Sequence, residues 1–118
     1  MRVLVTGGAG FIGTNLCGRL LAEPTVTAVR VLDDCSTGSA ANLAGLDVDL
    51  VEGSILDEAL VGRLAAEADA VVHLAARGSV PRSVAEPVAT HAVNATGTLT
   101  VLEAVRHAGG PHLVVASS

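Results

Sequence analysis

Three glycines at steps of three, Gly7, Gly10 and Gly13 in the run Thr6-Gly7-Gly8-Ala9-Gly10-Phe11-Ile12-Gly13, connect an apolar segment to a helical one. Val3 to Val5 reads as a strand before the turn, and Ile12, Leu16 and Leu20 fall at steps of four after it. Glycine permits a positive-φ turn, removes the side chain that would hold a ligand's pyrophosphate off the backbone, and lets the helix pack closely on the strand. The helix N-terminus adds unpaired amide donors and the positive end of the dipole. Taken alone, the same glycines also suit a plain strand-to-helix turn.

Further apolar runs of strand length recur at Ala28 to Leu32, Val48 to Val51, Ala70 to Leu74 and Leu113 to Ala116, each bounded by glycine, charged or turn-forming residues. Between them, Leu60, Val61 and Leu64 predict a helix capped by Asp57, and Leu99, Leu102 and Val105 belong to one running from about Pro87 to His107, stopped by Gly109-Gly110-Pro111. Cys35 to Gly45 predicts a loop with at most a short helical turn. Near-continuous apolar strands alternating with helices mean a parallel sheet covered on both faces. The expected fold is therefore α/β, a Rossmann-type doubly wound sheet of five strands in the order 3-2-1-4-5, filling residues 1–118 as one domain.

Asp33 ends the second strand 20 residues beyond Gly13, where a dinucleotide fingerprint asks for an acid. Such a carboxylate accepts the ribose hydroxyls of the adenosine and repels a 2′-phosphate, so the pair of signals favours NAD over NADP. Two solvated loop acids are the alternative for Asp33 and Asp34.

The twelve acids outnumber seven bases, all of them arginines and none clustered, for a net charge of -5. With Phe11 as the only aromatic residue, neither a nucleic-acid surface nor an anionic membrane is an expected partner. No apolar run approaches the roughly 18 residues of a membrane span, and Arg2 enters the first strand without a leader, so the expected location is cytoplasmic. Cys17 and Cys35 read as free thiols. No metal site is expected, because His73, His91, His107 and His112 pair with no acid or cysteine at ligand spacing. Arg77 and Arg82 follow the fourth strand at the edge where ligands bind, each either a phosphate contact or a solvated loop residue.

The opening turn, the run Leu32-Asp33-Asp34-Cys35-Ser36-Thr37-Gly38, Val72-His73-Leu74-Ala75-Ala76, Asn94-x-x-Gly97-Thr98 and the closing Val114-Val115-Ala116-Ser117-Ser118 resemble the extended short-chain dehydrogenase/reductase family of nucleotide-sugar epimerases and dehydratases. The resemblance covers the whole chain in order. Gly78-Ser79-Val80-Pro81-Arg82-Ser83 with Glu86-Pro87 is most similar to the UDP-hexose and UDP-N-acetylhexosamine 4-epimerases. It implies NAD contacts at Gly7, Gly10, Phe11, Ile12, Gly13, Asp33, Ser36, Thr37, Gly38, Leu74, Ala75, Ala76 and Asn94. Where the family usually has Gly-Asp-Ile, with an acid on the adenine amino group, this chain has Gly53-Ser54-Ile55. Ser54 either bonds adenine beside Ile55 or caps the next helix.

The resemblance further implies that Ser118 hydrogen-bonds the reacting sugar hydroxyl, with Ser117 and Ser79 on the substrate side. A nucleotide sugar, most readily a UDP-sugar, is the expected substrate, and a homodimer the expected assembly of the parent enzyme. The family's tyrosine and lysine for proton transfer have no counterpart here, since the 118 residues contain neither type. The chain is accordingly expected to be the cofactor-binding N-terminal portion of a longer enzyme, its substrate domain absent and its fifth strand an exposed edge open to pairing. The expected activity of that enzyme is 4-epimerisation by transient oxidation at C4. Alternatives are a 4,6-dehydratase or decarboxylase of the same family, and a non-catalytic NAD-binding module.

Overall fold

A computed structural model describes residues 1–118. Five strands, β1 (Arg2–Thr6), β2 (Ala28–Asp33), β3 (Asp49–Glu52), β4 (Ala70–His73) and β5 (His112–Val115), form one sheet in the order β3-β2-β1-β4-β5. Every neighbouring pair is parallel, with Val5 opposite both Val31 and Val72. Successive side chains of a strand point to opposite faces, and the buried residues divide accordingly. Val3, Val5, Val29 and Val31 pack with Cys17 and Leu43 on one face, while Leu4, Leu32 and Val71 pack with Val61, Leu64, Val101 and Val105 on the other.

Helix α1 (Phe11–Leu21) and a short 3-10 turn (Ala40–Leu43) cover the first face. Helices α2 (Glu58–Ala66) and α5 (Gly97–His107) cover the second. Asp57 caps α2 as its spacing predicts, its Oδ1 accepting from the Leu60 amide at 3.1 Å. Ser39 caps the 3-10 turn by accepting from the Ala41 amide. Beyond α5, Gly109 and Gly110 both take positive φ, and the Gly110 amide closes the helix end on the Val105 carbonyl.

The path from Pro87 to His107 is helical throughout, but it is not one regular helix. Helix α4 (Pro87–His91) runs into a wider π turn (Ala92–Thr96), which leads into α5. Such a turn inserts one residue into the helical repeat and is common at functional sites. A further helix, α3 (Val80–Ala85), is not foretold by the apolar spacing. Its start carries ordinary signals, Ser79 as cap and Pro81 in the first turn, yet Val80 and Val84 are exposed and give no buried periodicity. No helix is long and apolar enough to cross a membrane.

Both cysteines are free; Cys17 is fully buried on the sheet-facing side of α1, and Cys35 is half-buried. Burial pushes both thiols above their ordinary pKa, and nearby Asp33 adds to the effect at Cys35. A thiol-specific disulfide reagent should therefore modify Cys35 slowly in the native chain and reach Cys17 only as fast as the protein unfolds. Equal native rates for the two thiols would contradict this packing.

Candidate functional site

The carboxyl ends of β1, β2, β3 and β4 converge on an open cleft of about 140 Å³. Gly7 and Gly10 line it from the glycine turn, Asp33, Asp34, Ser36 and Thr37 from the exit of β2, Ser54 and Ile55 from beyond β3, and Leu74 to Arg77 from beyond β4. The carboxyl edge of the sheet, on both sides of the central β1, is where open α/β sheets bind their ligands.

Close backbone approach shapes the turn. Gly7 has φ +73°, and a Cβ there would lie 2.7 Å from the Ala75 nitrogen, so β1 and β4 leave the sheet in backbone contact. A Cβ on Gly13 would lie 2.3 Å from the Gly7 carbonyl oxygen, so α1 can begin on top of the turn only with glycine there. The cap of α1 is Gly10, which makes no side-chain cap bond, and the first turn contains no acid. The helix thus presents uncapped amides and its positive dipole end at the cleft.

Asp33 fastens the two sides of the β2 exit. Its Oδ2 accepts from the Ala9 amide at 2.9 Å and its Oδ1 from the Cys35 amide at 2.8 Å. Cys35 takes a positive φ of +58° in this loop. A carboxylate has about four acceptor positions, so two remain for a ligand. Gly38 packs against Ala9 and Gly10 from behind, and the Asn42 side chain also donates to the Ala9 carbonyl. Both positions hold the turn from the far side.

On the opposite wall, Thr6 and His73 form a buried network whose protons can be assigned by counting. The Thr6 oxygen accepts from the amides of Leu74 and Ala75, both at 3.2 Å, so its own proton goes to His73 Nδ1 at 2.7 Å. The Thr98 hydroxyl donates to the Asn94 carbonyl at 2.7 Å and therefore accepts from His73 Nε2 at 3.0 Å. The imidazole is neutral with its proton on Nε2, and burial lowers its pKa in the same sense. His73 thereby joins the β1 exit, the Leu74-Ala75 turn and α5. Of the other histidines, His107 sits 3.5 Å from Glu103, while His91 and His112 are exposed.

Some expected positions lie off the cleft. Phe11 and Ile12 are exposed at the start of α1, and Phe11 borders a shallow polar groove with Thr14, Asn15 and Asn42. Asn94, in the π turn, spends its amide on the backbone of Arg77, accepting from its nitrogen at 2.7 Å and donating to its carbonyl at 3.0 Å. Ser54 caps neither α2 nor its first turn; its hydroxyl oxygen accepts from the Leu56 amide, and the cap belongs to Asp57. Ser79 has φ +84° and accepts from the Arg82 amide at the head of α3. Ser117 and Ser118 are exposed just past β5, beside the end of β4. Asp34, Gly53 and Val93 also line the cleft, beyond the expected contacts, although Asp34 and Gly53 follow strand ends, where lining residues belong.

Residues 3–118 match the family described as NAD dependent epimerase/dehydratase. A dTDP-glucose 4,6-dehydratase of Mycolicibacterium smegmatis is 49% identical over 109 residues, covering 90% of this chain and 33% of the relative. A UDP-glucose 4-epimerase of the same organism is 44% identical over 123 residues, covering 100% of this chain and 39% of the relative. The crystal structure of the Thermus thermophilus UDP-glucose 4-epimerase in complex with NAD superposes with a TM-score of 0.89 at 42% identity, covering 100% of this chain and 38% of that one. The chain thus spans between 33% and 39% of the length of these relatives.

The His73 network generates a pH dependence with a definite sign. Its folded-state pKa lies below the ordinary 6.5, so as pH falls through 6.5 the unfolded chain takes up a proton that the folded chain refuses. Its contribution is complete above that pH and declines towards the lower folded pKa. The urea midpoint should drop between about pH 7.5 and about pH 5.5, and drop less in His73→Gln. An equal drop in both proteins would remove His73 as the source.

Proposed function

The chain belongs to the NAD dependent epimerase/dehydratase family, and on that premise we propose that it is the NAD-binding part of a nucleotide-sugar 4-epimerase. The single observation that carries the reading is the cleft, where a cap-free helix end and a close glycine turn lie directly beside the Asp33 carboxylate, which the Ala9 amide of that turn holds in place. Uncapped amides suit a pyrophosphate, and the two open acceptor positions of Asp33 suit the vicinal ribose hydroxyls. These donors and acceptors fit NAD, whose adenosine carries no 2′-phosphate to meet the paired carboxylates of Asp33 and Asp34.

In this reading Gly7, Gly10 and the uncapped backbone amides of Phe11, Ile12 and Gly13 at the start of α1 hold the pyrophosphate, the Phe11 and Ile12 side chains pointing away from it. Asp33, Ser36 and Thr37 hold the adenosine ribose, with Gly38 keeping their loop against the turn. Ser54 donates to adenine with the proton left free by its own acceptor bond, and Ile55 supports the ring. Leu74, Ala75 and Ala76 form an apolar ledge that excludes water on the nicotinamide side. Asn94 acts through the Arg77 backbone and keeps that ledge in place. Bound NAD would supply a hydride acceptor and donor for the sugar carbon.

Ser118 would hydrogen-bond the reacting hydroxyl, and Ser117 and Ser79 would contact the substrate. The proton acceptor would come from a part of the longer protein beyond these 118 residues, which hold no tyrosine and no lysine. A nucleotide sugar is the proposed substrate, with a homodimer as the proposed assembly and residues 1–118 as one domain. A second reading, a 4,6-dehydratase, is favoured by the 49% identity to the Mycolicibacterium dehydratase. Mass spectrometry of the longer protein's product separates them: epimerisation of UDP-glucose leaves the mass unchanged, and dehydration of dTDP-glucose removes one water. Turnover of neither contradicts both readings.

Calorimetric titration of the 118-residue chain tests the cofactor directly. NAD should bind at least about tenfold more tightly than NADP, and Asp33→Ala should weaken NAD by about tenfold or more, the scale of a lost charge-assisted hydrogen bond. Asp33→Asn should narrow the gap between the two cofactors. Equal affinity for NAD and NADP in the wild type would contradict the role given to Asp33.

A further inference from the structure

Arg77 is the only cation on the cleft wall, which otherwise carries the carboxylates of Asp33 and Asp34. Its backbone is fixed at both ends of the residue by the Asn94 amide, so only its side chain is free to move. That side chain is poorly settled. Nη2 donates to Glu86 Oε2 at 2.9 Å, while Nε is buried and has no partner.

Arg106 provides the internal comparison. It gives Glu103 the full fork, Nε to Oε1 at 3.1 Å and Nη2 to Oε2 at 2.8 Å. Arg77 gives Glu86 half of that fork, and a buried donor left unpaired is costly. Glu86 is itself 58% exposed, so its hold is that of a solvent-screened surface pair. The helical face towards Arg77 repeats the pattern. Glu86, Thr90 and Asn94 fall at steps of four, the outer two bond Arg77, and Thr90 Oγ1 between them is the other buried side-chain atom without a partner.

A phosphate answers what this arrangement lacks. It presents paired oxygens to the Nε and Nη2 edge of a guanidinium, and it brings the negative charge that Glu86 now only partly supplies. We propose that Arg77 is a phosphate ligand held in reserve by Glu86, its guanidinium exchanging the Glu86 carboxylate for phosphate oxygens of the nucleotide that enters the cleft. The proposal rests on the cleft's reading as a dinucleotide site and adds a residue to it. It also makes Glu86 a competitor of the ligand rather than a support for it.

The two roles have opposite signs, and calorimetric titration of adenosine, ADP and NAD into the wild type, Arg77→Gln and Glu86→Gln reads both. Arg77→Gln should weaken ADP and NAD by about tenfold or more while leaving adenosine within about twofold. Glu86→Gln, at an exposed position, should tighten ADP by about threefold, because the competing carboxylate charge is gone. Arg77→Gln that leaves ADP unchanged, or weakens adenosine as much as ADP, overturns the phosphate contact. Glu86→Gln that leaves ADP unchanged or weakens it overturns the exchange. A wild-type chain that binds neither ADP nor NAD overturns the cleft's reading along with it, whereas wild-type binding that neither substitution alters overturns the Arg77 proposal alone.

Discussion

The contact on which the structure depends is backbone against backbone. Gly7 leaves β1 with its Cα so near the start of the Leu74-Ala75 turn that no Cβ fits between them. Because β1 pairs with β4 along Val3 to Thr6, this approach extends the sheet's own spacing into the loops and brings two strand exits to one floor. Any side chain at residue 7 would push the exits apart and open the cleft. Gly13 repeats the condition at the first turn of α1, which sits on the Gly7 carbonyl.

Polar side chains then lock what the glycines allow. Thr6 gathers the amides of Leu74 and Ala75, His73 carries the connection on to Thr98, and Asn94 passes it to the backbone of Arg77. On the other side Asp33 ties Ala9 to Cys35. Most of these bonds join residues far apart in sequence, so the cleft is held before any ligand arrives. Preorganisation of that kind lowers the ordering cost of binding.

The sheet is legible in the sequence because its strands are buried on both faces. Runs such as Ala28 to Leu32 and Ala70 to Leu74 end within a residue of β2 and β4, and glycine, Asp57 and Gly109-Gly110 mark the turns between elements. The cap of α2 and the short helical turn inside Cys35 to Gly45 follow from local rules of the same sort. Less legible is whatever depends on one side chain meeting a distant backbone. The π turn accompanies Asn94 reaching Arg77, seventeen positions away, and nothing in the apolar spacing of Leu99, Leu102 and Val105 announces it. Helix α3 leaves no periodic signal because its valines face solvent. Arg77 itself is visible as a charge after a strand, but its half-made fork with Glu86 exists only in three dimensions.

The central claim is that the cleft between the glycine turn, Asp33 and the Leu74-Ala75 ledge is where a dinucleotide binds. Backbone amide NMR of the 118-residue chain during titration with NAD measures this most directly. The account predicts saturable shifts concentrated at Gly7 to Gly13, Asp33 to Thr37 and Leu74 to Arg77, with Arg2, Ala28 and Asp49 at the opposite edge of the sheet unmoved. Shifts centred on that opposite edge, or none at saturating NAD, would contradict it.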